Sequence, residues 1–185
     1  MFQKIKTAIK YTRNIFVTGA IVETNKQVED EITSRIPNED NLVIVEFGMG
    51  HGNITKAILS KIGPNSKVYS FEVHKPFCEH AEKHIADKRL TIINDGAENV
   101  NKYLSEDVDS IISSIPFSFF SEELKSNILK SAYGILKNKG CMSQVLLSAF
   151  HFRKYKSVFD NCKRRKILNF PIYHIYHCQK ETKEN

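Results

Sequence analysis

No run in the sequence approaches the roughly 18 to 20 consecutive apolar residues that a membrane-spanning helix requires, although 41% of the residues are hydrophobic. The four cysteines, Cys78, Cys141, Cys162 and Cys178, include no C-x-x-C pair. That spacing argues against a zinc site or a disulfide framework and fits a reducing cytoplasm. Internal repeats and low-complexity linkers are also missing. No acidic residue precedes Glu23, and lysines interrupt the opening Met1-Phe2-Gln3-Lys4-Ile5-Lys6. The apolar centre of a secretory signal peptide is therefore not expected. What remains is 185 residues of ordinary globular composition, enough for one domain with a real core. The net charge of +6 favours phosphate-bearing partners, either nucleic acid or an anionic membrane surface, without choosing between them.

What the chain does contain is a regular alternation. Apolar runs with strand character span Leu42 to Phe47, Lys67 to Glu72, Leu90 to Asn94, Val108 to Ile115 and Cys141 to Leu147. Amphipathic stretches near 53–62, 76–87, 97–104 and 121–137 separate or follow them. Such alternation implies a parallel sheet covered on both faces. Near-continuous apolar runs such as Leu42-Val43-Ile44-Val45 suit strands buried on both sides. A helix is predicted near 150–160. Two more strand-like runs follow, Lys166 to Phe170 and Ile172 to Cys178, with only Pro171 between them, which predicts an antiparallel hairpin. The expected fold is α/β: a doubly wound Rossmann-like sheet, mostly parallel, with a C-terminal antiparallel hairpin. The expected organisation is an N-terminal segment, 1–40, and a ligand-binding domain, 41–185.

In the N-terminal segment, Phe2, Ile5, Ile9, Ile15 and Phe16 recur at helical spacing, and Lys4, Lys6, Lys10 and Arg13 interleave with them. This is the pattern of a basic amphipathic helix of the kind that lies on anionic membranes. Phe2, Lys4, Ile5, Lys6, Ile9, Lys10 and Arg13 are the candidate membrane-binding residues. At roughly 1 kcal/mol for each basic group near an anionic bilayer, four suffice for reversible attachment. The same charges could contact nucleic-acid phosphates. The pattern also fits a helix packed on the domain with its lysines solvated.

The run Leu42 to Phe47 leads directly into Gly48-Met49-Gly50-His51-Gly52, and a helix is predicted from about Asn53. Glycines let a backbone turn sharply and approach a ligand closely. A helix N-terminus adds free N–H groups and a positive dipole end. Twenty residues beyond Gly52 comes Glu72, at the end of the second strand and followed by Val73. An acid there can accept hydrogen bonds from both hydroxyls of a ribose. The layout suits a nucleoside-bearing cofactor. The dinucleotide fingerprint wants glycine or alanine where this chain has Asn53, and a pyrophosphate disfavours an acid such as Glu46 beside it. Glu46 and the G-x-G-x-G spacing favour a sulfonium cofactor with a free amino group, S-adenosylmethionine, which would leave as S-adenosylhomocysteine.

The third strand ends in Asn94-Asp95-Gly96-Ala97, where Asp95 could accept from an adenine amine and a backbone N–H could meet the ring. The fourth ends in Ser113-Ser114-Ile115-Pro116-Phe117, which puts hydroxyls, carbonyls and a ring at the carboxyl edge of the sheet, where substrates bind. The candidate cofactor-binding residues are thus Glu46, Gly48, Met49, Gly50, Gly52, Glu72, Val73, Asp95, Gly96, Ala97 and Ser113. His51 either lines that pocket or faces solvent.

With these motifs in place the sequence resembles the bacterial phospholipid N-methyltransferase family, within the class I methyltransferases. The resemblance runs through nearly the whole chain. It implies the doubly wound fold closed by a late hairpin, bound S-adenosylmethionine, and a lipid amine headgroup of the phosphatidylethanolamine type as methyl acceptor. It also implies a cytoplasmic protein, peripheral on the inner face of the plasma membrane. The family's G-A-I entry corresponds to Gly19-Ala20-Ile21. Its S-G-L-P motif reads Ser113-Ser114-Ile115-Pro116, and its N-x-P-P segment reads Asn169-Phe170-Pro171-Ile172. Three places depart from the pattern. The G-D-A triplet reads Asp95-Gly96-Ala97, P-S-S reads Glu23-Thr24-Asn25, and the second proline is Ile172. A secondary resemblance is to the ribosomal RNA adenine dimethyltransferases, whose N-[LI]-P-[YF] motif is similar to Ser114-Ile115-Pro116-Phe117. In that family the asparagine holds the target amine and the ring stacks on the base. Here Ser114 replaces the asparagine. That family also usually has an extra helical C-terminal domain, for which no room is expected after the last strand. The cluster Lys163-Arg164-Arg165-Lys166 could touch nucleic acid or be a solvated strand edge.

Transfer to a neutral amine needs alignment more than activation. Candidate residues at the acceptor are Ser113, Ser114, Pro116 and Phe117, with Tyr173 and His174 as candidate proton acceptors. A non-catalytic module that keeps the cofactor pocket is a further alternative. His80 and His84 sit four residues apart on a predicted helix, but no acid or cysteine completes a set, so no metal is expected.

Overall fold

The computed structural model describes residues 25–181. The candidate membrane residues Phe2, Lys4, Ile5, Lys6, Ile9, Lys10 and Arg13, and the Gly19-Ala20-Ile21 segment, lie outside the described residues.

Seven strands form one sheet: β1 (Val43–Phe47), β2 (Lys67–Phe71), β3 (Leu90–Ile93), β4 (Val108–Ser113), β5 (Leu136–Leu146), β6 (Asn161–Ile167) and β7 (Tyr173–Gln179). Their spatial order is β3-β2-β1-β4-β5-β7-β6. The first five are parallel, and β7 runs antiparallel between β5 and β6. The chain moves outward from β1 to β3 and then returns to β4 on the other side of β1. That reversal opens a crevice at the carboxyl ends of β1 and β4.

The β1 pattern explains its place. All five residues are buried, and alternate side chains serve opposite faces. On one face Val45, Phe47 and Ile111 pack with Leu129 and Ala132 of α4 (Glu122–Ile135) and with Tyr155 of α5 (Phe152–Lys156). On the other, Ile44, Ile112 and Ile175 pack with Val28 and Ile32 of α1 (Lys26–Ile32) and Ile58 of α2 (Asn53–Leu59). The remaining helix, α3 (Lys75–His84), buries Cys78 and Ala81. Caps fix two of the helix starts. The Asn25 side chain accepts from the Val28 amide at 3.0 Å, and the Ser121 hydroxyl accepts from the Leu124 amide at 3.2 Å.

The described part of segment 1–40 is no separate layer. Val28 and Ile32 of α1 are fully buried, and Glu31 Oε1 lies 3.0 Å from His177 Nε2. His177 Nδ1 in turn meets the Ser143 hydroxyl at 2.8 Å. This polar chain ties α1 to β7 and β5.

Three elements differ from the sequence expectation. Residues 97–102 form a 3-10 helix rather than an α-helix. The expected helix over 121–137 stops at Ile135, because Leu136 already pairs with Val108. The next register is Ser110 with Cys141, so Lys137 to Gly140 bulge out, with Lys139 at φ +67°. Lys137 reaches the buried Asp109 carboxylate there. Finally, β6 covers Asn161–Ile167 instead of beginning at Lys166. It is an edge strand of mostly exposed charged side chains, which deter further strand pairing and leave no apolar run to read.

Packing and edge should respond differently to substitution. Ile175→Ala, at a fully buried position, is expected to lower unfolding free energy by about 2–5 kcal/mol in urea titrations. Arg165→Gln, in a 3.8 Å exposed pair with Glu31, should change it by less than about 1 kcal/mol.

Candidate active site at the carboxyl edge

After Phe47 the chain turns through Gly48, Gly50 and Gly52 at φ +82°, +53° and +86°, a region that side chains with a Cβ rarely adopt. Neighbouring strands clamp this loop from both sides. The Gly48 amide donates to the Phe71 carbonyl at 2.8 Å, and the Gly50 amide donates to Glu72 Oε2 at 3.0 Å. From β4, the Ser114 amide donates to the Phe47 carbonyl at 2.9 Å and its hydroxyl to the Gly48 carbonyl at 2.6 Å. Close packing excludes a Cβ at two of the glycines. One on Gly48 would stand 2.9 Å from Ile115 Cγ2, and one on Gly52 would stand 2.5 Å from Ile85 Cδ1. A Cβ on Gly50 would meet nothing within 4 Å. The open face of the loop is therefore at Gly50, beside an acid.

Glu72 is that acid. It is buried, with Oε1 held by the His74 amide at 2.9 Å and Oε2 by Gly50. Its carbonyl accepts from the Asn94 side chain at 2.7 Å, which ties the β3 end to the β2 end. Val73 is exposed beside it, whereas Met49 is buried.

Glu46 sits beneath the loop rather than in the opening. Its Oε2 accepts from the hydroxyls of Thr55, at 2.7 Å, and Ser70, while Oε1 is buried without a partner. Burial pushes this carboxyl up to about 7 against the pull of those two hydrogen bonds, and Glu72 adds to the rise.

Asp95 is engaged locally. Its Oδ1 accepts from the Gly96 amide at 2.7 Å and Asn99 Nδ2 at 2.8 Å, and Oδ2 accepts from the Tyr103 hydroxyl at 2.8 Å. Burial raises its pKa, but these bonds outweigh that and leave it lowered. Asp95, the expected adenine acceptor, thus stands just ahead of the 3-10 helix that begins at the buried Ala97. The neighbouring Tyr103 is half-exposed.

At the end of β4, Ser113 is fully buried and its hydroxyl has no partner. Pro116 turns the chain into a 3-10 turn, Phe117–Phe119. This turn corrects one expectation. Phe117 is not a ring presented to substrate but is fully buried, 5.1 Å from the Tyr155 ring. Phe119 is exposed in its stead.

Tyr173 and His174 are consecutive in β7, so their side chains point to opposite faces. Tyr173 packs with the α1 and α2 cluster, and His174 is registered with Leu146. The Tyr173 hydroxyl and His174 Nδ1 are both buried without partners. Burial raises the tyrosine pKa, so it stays protonated. Burial, Arg164 and Lys166 lower the histidine pKa, which favours its neutral form.

One residue escaped the sequence reading. Gln144, registered beside Ser113, is fully buried. Its Nε2 donates to the Ile115 carbonyl at 3.2 Å, and its Oε1 accepts from Tyr155 at 3.0 Å. A lone amide within the apolar run 141–147 was the available signal. Elsewhere, the His51 ring lies against Phe77 at 4.7 Å, and the His80 and His84 rings stack at 4.1 Å. No group of three metal-ligating side chains occurs among the described residues.

Two outcomes follow from this geometry. Gly50→Asp should keep the fold, since the space is open; left-handed strain should lower Tm by about 2–8 °C. It should nevertheless abolish S-adenosylmethionine binding in calorimetry. Retained binding would show that the ligand does not cross Gly50. For Glu46, a folded pKa above the ordinary value means the fold holds the proton between about pH 4.5 and 7. Its contribution is favourable at low pH and is lost as pH rises through that window, by up to ~3 kcal/mol. Glu46→Gln should therefore gain stability relative to the parent at pH 8 compared with pH 5. Parallel pH profiles of the two proteins would contradict a protonated Glu46.

Comparison with known proteins agrees with this geometry. An ornithine lipid N-methyltransferase of Singulisphaera acidiphila is 24% identical over 131 residues, covering 68% of each chain. A ribosomal RNA small subunit methyltransferase A of Mycoplasmopsis synoviae is 32% identical over 88 residues, 47% of this chain and 33% of that one. The chain spans about two thirds or less of the length of the curated relatives it matches. A Streptococcus mutans protein solved in complex with SAH shares the fold, with TM-score 0.62, 16% identity and coverage of 86% and 99%. Among the described residues no helix is long and apolar enough to cross a membrane. The model of the methyltransferase domain matches residues 44–140, just over half of the sequence, and the chain belongs to that family as an S-adenosylmethionine-dependent methyltransferase.

Proposed function

We propose that the protein N-methylates a lipid amine headgroup, of the phosphatidylethanolamine or ornithine-lipid kind. The observation that carries this reading is the acceptor end of β4. It offers the unpartnered Ser113 hydroxyl, and Phe117 is withdrawn into the core. An aliphatic amine needs a small polar group to orient its lone pair. An adenine needs a ring to stack on and an amide to hold it. The buried Phe117 and the serine at position 114 supply neither. The likeness to an ornithine lipid N-methyltransferase supports the same choice.

In this reading the open face at Gly50 and the Glu72 carboxylate hold the cofactor's ribose. When bound, S-adenosylmethionine supplies an electrophilic methyl group on sulfur. That methyl group would pass to the amine lone pair, with the electrons of the C–S bond left on sulfur. Ser113 orients the amine, and the dry surroundings favour its neutral form. His174, neutral and unpartnered, is suited to take the departing proton.

The reading has a direct test. Lipids extracted from a host expressing the full chain should contain methylated amine headgroups. Vesicles with phosphatidylethanolamine should accept methyl groups in vitro, and ribosomal RNA should not. Methylated RNA with unmodified lipid would reverse the choice of substrate. Ser113→Ala is expected to lower kcat about tenfold, the weight of one orienting hydrogen bond.

A further inference from the structure

The apolar side chains left in water are not scattered. Phe119 follows β4, Leu147 and Phe150 follow β5, and Leu168, Phe170 and Ile172 lie between β6 and β7. Strands β4, β5 and β6 point the same way, so all six residues stand on one edge of the sheet, the edge that carries Ser113. The most prominent are Phe170 at 99% exposed, Phe150 at 86% and Leu168 at 77%. Single exposed apolar residues need no explanation, but a group that rims one site does.

We infer that this rim is the surface on which the folded domain seats itself on an anionic lipid bilayer, with the Phe150 and Phe170 loops entering the interface. The inference deepens the lipid-amine reading and rests on it for the purpose of the contact. Charge selects the occupant. Lys163, Arg164, Arg165 and Lys166 run along β6 straight to Leu168, and the 24 residues before Asn25 carry four basic groups and a single acid. A second copy of the chain, or that basic segment itself, would set like charges against β6. An anionic bilayer complements both and accepts aliphatic and aromatic side chains together. An RNA would find rings to stack on but no use for Leu147, Leu168 and Ile172.

The absence of tryptophan from the sequence makes the test clean. Full-length chain carrying Phe170→Trp is mixed with phosphatidylcholine vesicles containing phosphatidylglycerol, with and without brominated acyl chains. A second variant carries Glu39→Trp, exposed before β1 at the opposite edge. The expected result is a blue shift and bromine quenching for Phe170→Trp and neither for Glu39→Trp. Phe150→Ser combined with Phe170→Ser should weaken vesicle partitioning at least about tenfold. A Phe170→Trp chain that sediments with vesicles yet keeps its aqueous emission would overturn the inference, because another part of the chain would then make the attachment. A response to RNA and not to vesicles would overturn it too. Quenching without methylation of lipid amines keeps the docking surface and sinks the headgroup reading. Methylation without quenching keeps the headgroup reading and sinks the docking surface.

Discussion

The site depends on one constrained loop held from two sides. Gly48, Gly50 and Gly52 adopt left-handed backbone angles, and the amides and carbonyl they expose are taken up by Phe71 and Glu72 on one flank and by Ser114 on the other. The loop leaves β1 where the sheet reverses direction. Its hydrogen bonds therefore tie the ends of β2 and β4 to the same turn. Glu72 and Ser113 are thereby fixed relative to each other through backbone rather than through flexible side chains. For a reaction whose methyl donor is already activated, such fixed geometry is the main contribution a protein can make.

How much of this was legible in the sequence follows from what each signal measures. Strands buried on both faces, such as β1, announce themselves as apolar runs, and the glycine spacing after Phe47 marks the loop. Glu72 was visible from its distance to Gly52. Its hold on the Gly50 amide was not, since that requires knowing how β1 and β2 align. The edge strand β6 was misplaced because its residues face water and charge masks the period. The burial of Phe117 was not legible either, because a motif does not record which way a side chain points. Asp95 showed its position but not its commitments to Gly96, Asn99 and Tyr103.

The carboxyl edge is divided in character. On the β1 to β3 side it is polar, with Glu72 and Asp95 engaged by backbone amides and side chains and Glu46 Oε1 left without a partner. On the β4 to β7 side it combines apolar loops with polar atoms that have no partner: Ser113 Oγ, the Tyr173 hydroxyl and His174 Nδ1. Buried polar atoms without partners destabilise a fold. Their concentration beside a cofactor loop is the usual sign of a place where a substrate supplies the missing bonds.

The alternation of side chains in β7 assigns different parts to two of those atoms. Tyr173 faces the α1 and α2 layer, and its hydroxyl keeps its proton because burial disfavours the phenolate. His174 faces the other layer, level with Leu146 and two residues from Tyr176, which bonds the Ser148 carbonyl at 2.8 Å. It therefore shares a face of the sheet with Gln144 and Ser113. A protonated imidazole there would repel the ammonium form of an amine and the sulfonium beside it. The neutral imidazole that burial and the nearby cations enforce does neither. The cations that add to this lowering, Arg164 and Lys166, belong to the basic edge strand β6.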